Sequence, residues 1–277
     1  MDFKIIDQII LNALHEDMPD GDITTDNLIP DNHKSKARFV AKEDGVLSGL
    51  DVCRRVFELV GGSFNLTFNY KNGDKIKKGD VIGLIDGDTK TLLKGERVAL
   101  NLLQRMCGIA TTTSKFTKEL VGDCKILDTR KTTPNLRYIE KMAVVDGGGT
   151  NHRYSLSDMA MIKDNHIVAA GSITKAVSIL KSKITKKVEV EVETREEFLE
   201  AEATEADIIM LDNMSNEDML WCVKNNDKLK HKLEASGNMT VERIKEVSSL
   251  GVDFISVGAL THSPKALDIS LKFYDLK

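Results

Sequence analysis

Residues 188–212 read VEVEVETREEFLEAEATEADIIMLD and hold one full period of a repeating pattern. Val188 to Val192 alternates like a strand, a helical pattern follows, and Asp207 to Leu211 is a second short apolar strand. Working outward, the same alternation takes in Lys125 to Asp128, Met159 to Ile162, Leu233 to Ala235 and Phe254 to Val257. Strands that alternate with helical stretches imply a parallel sheet with helices outside it. Six such units fit in the available length, whereas the eight of a complete (β/α)₈ barrel do not.

The N-terminal third follows other periods. Residues 3–16 place Phe3, Ile6, Ile9, Ile10, Ala13 and Leu14 on one helical face. From Ser63 to Tyr70 the chain alternates strictly, with Phe64, Leu66, Phe68 and Tyr70 on one side, as in a half-buried strand. Asn72-Gly73-Asp74 supplies a turn before a further strand from Val81 to Ile85. With Ala37 to Ala41 this third reads as α+β with an antiparallel sheet. Between the two parts, Leu92 to Leu120 reads as helical, with breaks expected at Gly95 and Gly108.

The 277 residues, 41% of them hydrophobic, suffice for one large or two medium domains. A net charge of −4 argues against nucleic acid as the main partner, because a phosphate backbone demands a broad basic surface. Cys53, Cys107, Cys124 and Cys222 form no C-x-x-C pair and have no His at metal-ligand spacing, so structural thiols in a reducing compartment are expected. No secretory leader pattern is visible and no apolar run approaches the roughly 20 residues that span a bilayer. The expectation is a cytoplasmic protein with no membrane partner.

Polar residues cluster just past each strand: Thr129-Arg130-Lys131, Lys163-Asp164-Asn165-His166, the region Glu191 to Glu193, Asp212-Asn213, Ser236-Gly237-Asn238 and Gly258-Ala259. In a parallel barrel these ends converge on the face where ligands bind. The stretch from Asp128 to His166 gathers six Lys or Arg (Arg130, Lys131, Arg137, Lys141, Arg153, Lys163) against five acids. Like charges brought into one cavity need an anion to neutralise them. Arg grips carboxylate or phosphate through two parallel hydrogen bonds, while Lys acts as a point charge.

Glu191 and Asp212 come from the next two strands and oppose those cations. Two carboxylates facing phosphate oxygens suit Mg²⁺. Glu189, Glu191 and Glu193 share one strand face, and spacing alone does not choose among them. Gly147-Gly148-Gly149 and Ser236-Gly237-Asn238 could let backbone N–H groups approach a phosphate, although such clusters more often mark ordinary turns. No nucleotide-binding Gly loop of the G-x-x-x-x-G-K-[ST] or G-x-G-x-x-G type occurs in the required context. His152 and His166 are read as hydrogen-bond donors to an anion, with general acid or base roles as the alternative.

Several segments together carry a resemblance: Gly21-Asp22-Ile23-Thr24-Thr25, Glu96-Arg97-Val98-Ala99-Leu100-Asn101, Asp128-Thr129-Arg130-Lys131-Thr132-Thr133-Pro134, Gly147-Gly148-Gly149-Thr150-Asn151-His152-Arg153, Ile162-Lys163-Asp164-Asn165-His166, Leu211-Asp212-Asn213-Met214, Glu234-Ala235-Ser236-Gly237-Asn238 and Gly258-Ala259-Leu260-Thr261-His262-Ser263. In these the chain resembles the quinolinate phosphoribosyltransferases, the carboxylating nicotinate-nucleotide pyrophosphorylases.

The resemblance implies an α/β protein of two domains. One is an N-terminal α+β sandwich, residues 1–108 completed by the tail 264–277; the other is an incomplete six-stranded parallel α/β barrel, residues 109–263. It also implies a homodimer in which the sandwich of one subunit covers the barrel mouth of the other. Quinolinate and phosphoribosyl pyrophosphate would react with Mg²⁺ to give nicotinate mononucleotide, pyrophosphate and CO₂. Arg97 of the partner subunit would join Arg130, His152, Arg153 and Lys163 around the two quinolinate carboxylates, next to Thr129. Lys131 and Lys163 would meet phosphate or pyrophosphate oxygens, Glu191 and Asp212 the ribose hydroxyls and Mg²⁺, and Ser236, Gly237, Asn238, Gly258 and Ala259 the 5′-phosphate. Lys131, Lys163, Glu191 and Asp212 are the expected catalytic set.

Two positions depart from the family pattern. Asn135 stands where Gly is commoner, a change the turn tolerates because Asn accepts a left-handed backbone. Cys107 stands where Ser is common and bears only on packing. Two rival functions are a phosphoribosyltransferase for another pyridine-like acceptor, which would need fewer cations, and a non-catalytic phosphometabolite sensor, which would not need both Glu191 and Asp212. Residues 72–87 resemble a carrier-domain hammerhead only in their Gly-Asp turns, and no Lys sits at a matching hairpin tip.

Overall fold

The computed structural model describes residues 1–227 and 230–274. The chain runs through α1 (Phe3–Asp17), α2 (Ile23–Leu28), β1 (Lys34–Ala41), β2 (Gly45–Val46), α3 (Leu50–Val60), β3 (Phe64–Phe68), β4 (Lys75–Ile76), β5 (Val81–Asp88) and α4 (Thr89–Thr117). Strand and helix then alternate: β6 (Lys125–Leu127), α5 (Arg137–Asp146), β7 (Ala160–Ile162), α6 (Asp164–Ala170), α7 (Ile173–Lys183), β8 (Val188–Val192), α8 (Arg195–Glu202), β9 (Ile208–Asp212), α9 (Asn216–Asn225), β10 (Lys232–Ser236), α10 (Val241–Ser249), β11 (Phe254–Ser256) and α11 (Ala259–His262). β12 (Ile269–Tyr274) follows. Packing divides the chain into two compact units, one of Met1–Ser114, Thr132–Gly148 and Leu260–Lys277, the other of Lys115–Lys131 and Gly149–Ala259.

The first unit is built on an antiparallel sheet in the order β12-β1-β5-β3. Alternation on β1 and β3 turns Phe39, Phe64, Leu66 and Phe68 toward one layer, where Phe39 meets the rings of Phe57 and Phe68 at centroid distances of 6.4 and 6.1 Å. The C-terminal strand pairs with β1, as the expected completion by the tail requires; residues 275–277 of that tail lie outside the described residues. α1 buries Ile6, Ile9, Ile10 and Leu14 as its period demands. Phe3, expected on the same face, is instead exposed and has the Arg55 guanidinium 5.8 Å from its ring centroid.

The expected breaks at Gly95 and Gly108 are not there, for α4 runs unbroken through both. A β-carbon on Gly95 would strike the Phe57 ring, and one on Gly108 the Lys265 carbonyl. These glycines permit close approach of neighbours, which outweighs their cost of about 1 kcal/mol in a helix. All four cysteines are free and buried, and burial pushes the thiols of Cys107, Cys124 and Cys222 up to about 12.

The second unit holds all six expected parallel strands, in the order β6-β11-β10-β9-β8-β7. Each strand from β7 to β10 pairs with its successor in the chain, and β11 pairs with β6, the first of the set. A sheet that winds in one direction and returns to its first strand is an incomplete barrel, because a doubly wound sheet would reverse direction midway. Helices start where side chains satisfy their first N–H groups: Ser172, Thr194 and Ser215 cap α7, α8 and α9.

Acids fix the register at the strand starts. Asp207 accepts the Val188 N–H and the Lys181 ammonium, both at 2.7 Å, and Asp253 accepts the Leu233 N–H at 2.9 Å and the Lys232 ammonium at 2.8 Å. Burial works against the charged form of Asp207, but Lys181 and the Val188 N–H outweigh it and lower its pKa. The stability gained is therefore present above the ordinary carboxylate pKa and lost as pH falls through the depressed value. Asp207→Asn is expected to cost about 1–3 kcal/mol at neutral pH and to weaken the acid limb of a Tm-against-pH profile. An unchanged profile would refute this role.

Candidate active site

Six parallel strands bring their C-terminal ends to one rim of the second unit. After β6, Asp128 is fully buried, Thr129 and Arg130 are half-buried and Lys131 is exposed. The Lys131 N–H donates to Thr129 Oγ1 at 3.0 Å and turns the chain. Residues 149–153 then run beside β6: Thr150 forms a parallel bridge with Leu127, and its N–H donates to the Ile126 carbonyl at 2.8 Å. That bridge carries His152 and Arg153 to the strand end, where Asp128 Oδ1 accepts the His152 N–H at 2.8 Å.

Arg153 donates through Nη1 to the Met159 carbonyl at 3.0 Å. Burial and then the charge of Arg130 lower its pKa, and both arginines are half-buried. Lys163 precedes α6, and its backbone N–H donates to His166 Nδ1 at 3.0 Å. His166 thus caps a helix with one of its ring nitrogens. The Lys163 ammonium pairs with the Glu191 carboxylate, so a cation and an acid expected to meet different parts of a ligand meet each other.

The three acids on β8 are graded in depth. Glu189 is wholly buried, the Glu191 side chain is 13% exposed and Glu193 is exposed. Glu189 is level with Lys232 through Ile208, so Glu234 of β10 lies two residues further along. A stagger of about one residue per strand is what barrel tilt imposes on side chains of one interior layer. Both acids accordingly approach one atom: His152 Nε2 is 3.1 Å from Glu189 Oε2 and 3.3 Å from Glu234 Oε2. The other Glu234 oxygen accepts the Ser256 hydroxyl.

Burial disfavours a charged His152 ring, and the two carboxylates outweigh it and raise the pKa; burial, then the charge of Glu234, raises that of Glu189. His152 Nδ1 accepts the Arg153 N–H at 2.7 Å, which leaves Nε2 as the ring nitrogen that faces the two acids. Ligand atoms of these three residues lie within 4.8 Å of one another, close enough to hold a metal ion. Both His152 ring nitrogens face protein groups in this structure.

At the ends of β9 and β10, Asn213 and Asn238 take left-handed backbones with φ of 55° and 48°. Asn213 Nδ2 donates to Asp212 Oδ2 at 2.7 Å, and its backbone N–H donates to the Ser236 carbonyl at 3.0 Å. Arg243, which the sequence reading passed over, donates to the carbonyls of Gly237 and Met214 at 3.3 and 3.4 Å and ties these two ends together. Gly258 and Ala259 are half-buried after β11. Gly147-Gly148-Gly149 is not a phosphate cradle: the N–H groups of Gly147 and Gly148 donate to the Ala143 and Val145 carbonyls, and a β-carbon on Gly147 would strike Ala110. Arg97 is exposed on α4, within the first unit.

The two domain models of quinolinate phosphoribosyl transferase match in order, the N-terminal one over residues 22–107 and the C-terminal one over 109–272. The chain belongs to the quinolinate phosphoribosyltransferase family. It is 43% identical to a probable nicotinate-nucleotide pyrophosphorylase [carboxylating] of Synechocystis, over 97% of this chain and 92% of that protein. It is also 43% identical to quinolinate phosphoribosyltransferase [decarboxylating] 1 of Nicotiana glauca, over 95% and 81%. The solved nicotinate-nucleotide pyrophosphorylase of Francisella tularensis superposes with a TM-score of 0.93 at 39% identity, covering 99% of this chain and 98% of that one.

In this quinolinate phosphoribosyltransferase, then, Arg130, Arg153, Lys163, Glu191, Asp212 and Ser236 to Asn238 share one rim. Gly237 has a φ of 90°, and a β-carbon there would strike the Asn213 carboxamide and backbone nitrogen. Gly237→Ala is expected to cost about 1–3 kcal/mol and to impair turnover together. Wild-type kinetics and Tm would show that the rim tolerates a side chain there.

Proposed function

We infer that this chain transfers the phosphoribosyl group of phosphoribosyl pyrophosphate to quinolinate, releasing pyrophosphate and CO₂ and forming nicotinate mononucleotide in de novo NAD biosynthesis. The observation that carries this reading is the presence of both family domains across residues 22–272. The half-buried pair Arg130 and Arg153 supports a dianionic acceptor, because two adjacent guanidiniums are stabilised by two carboxylates.

Within this reading Arg130, Arg153, Lys163 and His152, with Thr129 beside them and Arg97 of the partner subunit, form the quinolinate subsite. Lys131 and Lys163 face phosphate or pyrophosphate oxygens, and Ser236, Gly237, Asn238, Gly258 and Ala259 surround the 5′-phosphate. Glu191 and Asp212 contact the ribose hydroxyls. As pyrophosphate leaves, their negative charge stabilises the oxocarbenium-like ribose, and Lys131 and Lys163 stabilise the departing charge. During decarboxylation negative charge grows on the pyridine ring, where Arg130 and Arg153 are already fixed.

The oxygen donors of Glu191 and Asp212, at adjacent strand ends, fit Mg²⁺, which is commonly held by one or two carboxylates and substrate oxygens. Bound there, Mg²⁺ would neutralise pyrophosphate charge. The rest of the proposal is a homodimer with shared sites, a domain division of 1–108 plus 264–277 against 109–263, and a cytoplasmic location. The junction between the two family matches, at residues 107 and 109, supports that boundary. Among the described residues no helix is long and apolar enough to cross a membrane, while some plant relatives are named as chloroplastic or mitochondrial.

The deciding assay is CO₂ release from quinolinate with phosphoribosyl pyrophosphate and Mg²⁺, with nicotinate as the control acceptor. Arg130→Ala is expected to lower turnover by about 10²-fold or more, the scale of losing one preorganised electrostatic partner. Near-normal turnover would remove Arg130 from the site. Mixing Arg97→Ala with Arg130→Ala subunits is expected to restore part of the activity, since some mixed dimers then contain one intact site. Absence of recovery after proven subunit exchange would refute the shared site.

A further inference from the structure

Two fully buried glutamates lie beneath the cations and are not among the groups assigned to a substrate. Glu189 and Glu234 rise from strands separated by one, and both face Nε2 of His152, whose side chain is 6% exposed. The His152 backbone is held as well, because its N–H donates to buried Asp128. Its Nδ1 then accepts the N–H of Arg153, the next residue, whose guanidinium feels the charge of Arg130. Close approaches of 3.1 and 3.3 Å at Nε2 and the hydrogen bond at Nδ1 thus lead from the barrel interior to the Arg153 backbone. The same interior layer filled with apolar side chains would cost less, since buried ionic groups of this kind are often neutral or unfavourable for stability. Their presence asks for a task other than stability.

We propose that Glu189 and Glu234 are positioning residues for acceptor binding: acting through His152, they fix the backbone of Arg153 and so hold its guanidinium beside that of Arg130. The inference rests on the reading of Arg130 and Arg153 as the quinolinate subsite. It changes the part of His152 within it, from a group that touches quinolinate to the link between the buried acids and the arginine that does. Without the two acceptors the Nε2–H is left buried and unpaired, the imidazole turns, and the Arg153 N–H loses its acceptor. The damage should reach the acceptor subsite first. Ser236 to Asn238 and the Lys163–Glu191 pair have their own separate anchors.

The test is steady-state kinetics of Glu189→Gln and Glu234→Gln, with Arg153→Ala beside them. Each Gln variant is expected to raise the KM for quinolinate roughly tenfold to a hundredfold, as a displacement of about 1 Å does, and to leave that for phosphoribosyl pyrophosphate within about twofold. In protein labelled with ¹⁵N-histidine, wild-type His152 is expected to show a protonated Nε2 and an unprotonated Nδ1, a pattern lost in both variants. Should the Gln variants not fold, His152→Gln is expected to give the same selective rise. Equal changes in both KM values, or none, would overturn the proposal, as would an unprotonated Nε2 or binding of one Zn²⁺ per chain that His152→Gln abolishes. If Arg153→Ala alone loses quinolinate, only the positioning role fails; if wild type releases no CO₂, the proposed function itself fails.

Discussion

Charge buried inside a parallel barrel must be balanced where it stands, because neither water nor a mobile counter-ion can reach it. Barrel interiors are ordinarily filled by branched apolar side chains in layers. Here Asp128, Glu189 and Glu234 are wholly buried below the cations of the strand ends. The Arg153 guanidinium feels the charge of Glu189 as well as that of Arg130, the first attracting and the second repelling. Removing one partner of such a buried pair typically costs about 3–5 kcal/mol, because the other is left uncompensated. Acids inside and bases at the rim therefore stand or fall together.

The scaffold delivers these residues by simple means. Winding in one direction places alternate strands in the same layer, which is how β8 and β10 present acids to one imidazole. The Thr150 bridge lengthens the β6 edge by a strand-like step and brings in two residues that no regular strand supplies. Left-handed asparagines at 213 and 238 turn the ends of β9 and β10 sharply enough for their side chains to bond one another.

Most of this architecture was legible because apolar strands between helical stretches leave a clear period. All six parallel strands could be read in this way, as could the convergence of polar residues at their ends. Glycines were harder to interpret, since the same residue breaks a helix or permits contact, and only the Phe57 ring and the Lys265 carbonyl distinguish these cases at Gly95 and Gly108. Gly147 failed as a phosphate ligand for the same reason. Depth was also hidden: equal spacing made Glu189, Glu191 and Glu193 equivalent, whereas the barrel buries the first, leaves the second mostly covered and exposes the third. A signal for Glu234 did exist, an acid inside the otherwise apolar run Leu233 to Ala235. None existed for Arg243, whose reach from α10 to two carbonyls is a tertiary fact. Asn135 kept the turn by adopting the left-handed backbone, with φ of 67°.

β12 pairs with β1 from Lys36 to Ala41, so the sheet of the first unit is finished by a strand that is synthesised after all six strands of the second unit. Until they emerge, β1 presents an open edge of unpaired N–H and C=O groups next to buried Phe39, the kind of template that invites pairing with another chain. Parallel βα units are themselves slow to form because their contacts are distant in sequence. A nascent chain thus carries an adhesive flank through the whole period in which its second unit is assembled. A truncation that removed only the final strand would leave every rim residue in place and still yield a molecule prone to sticking to its own kind.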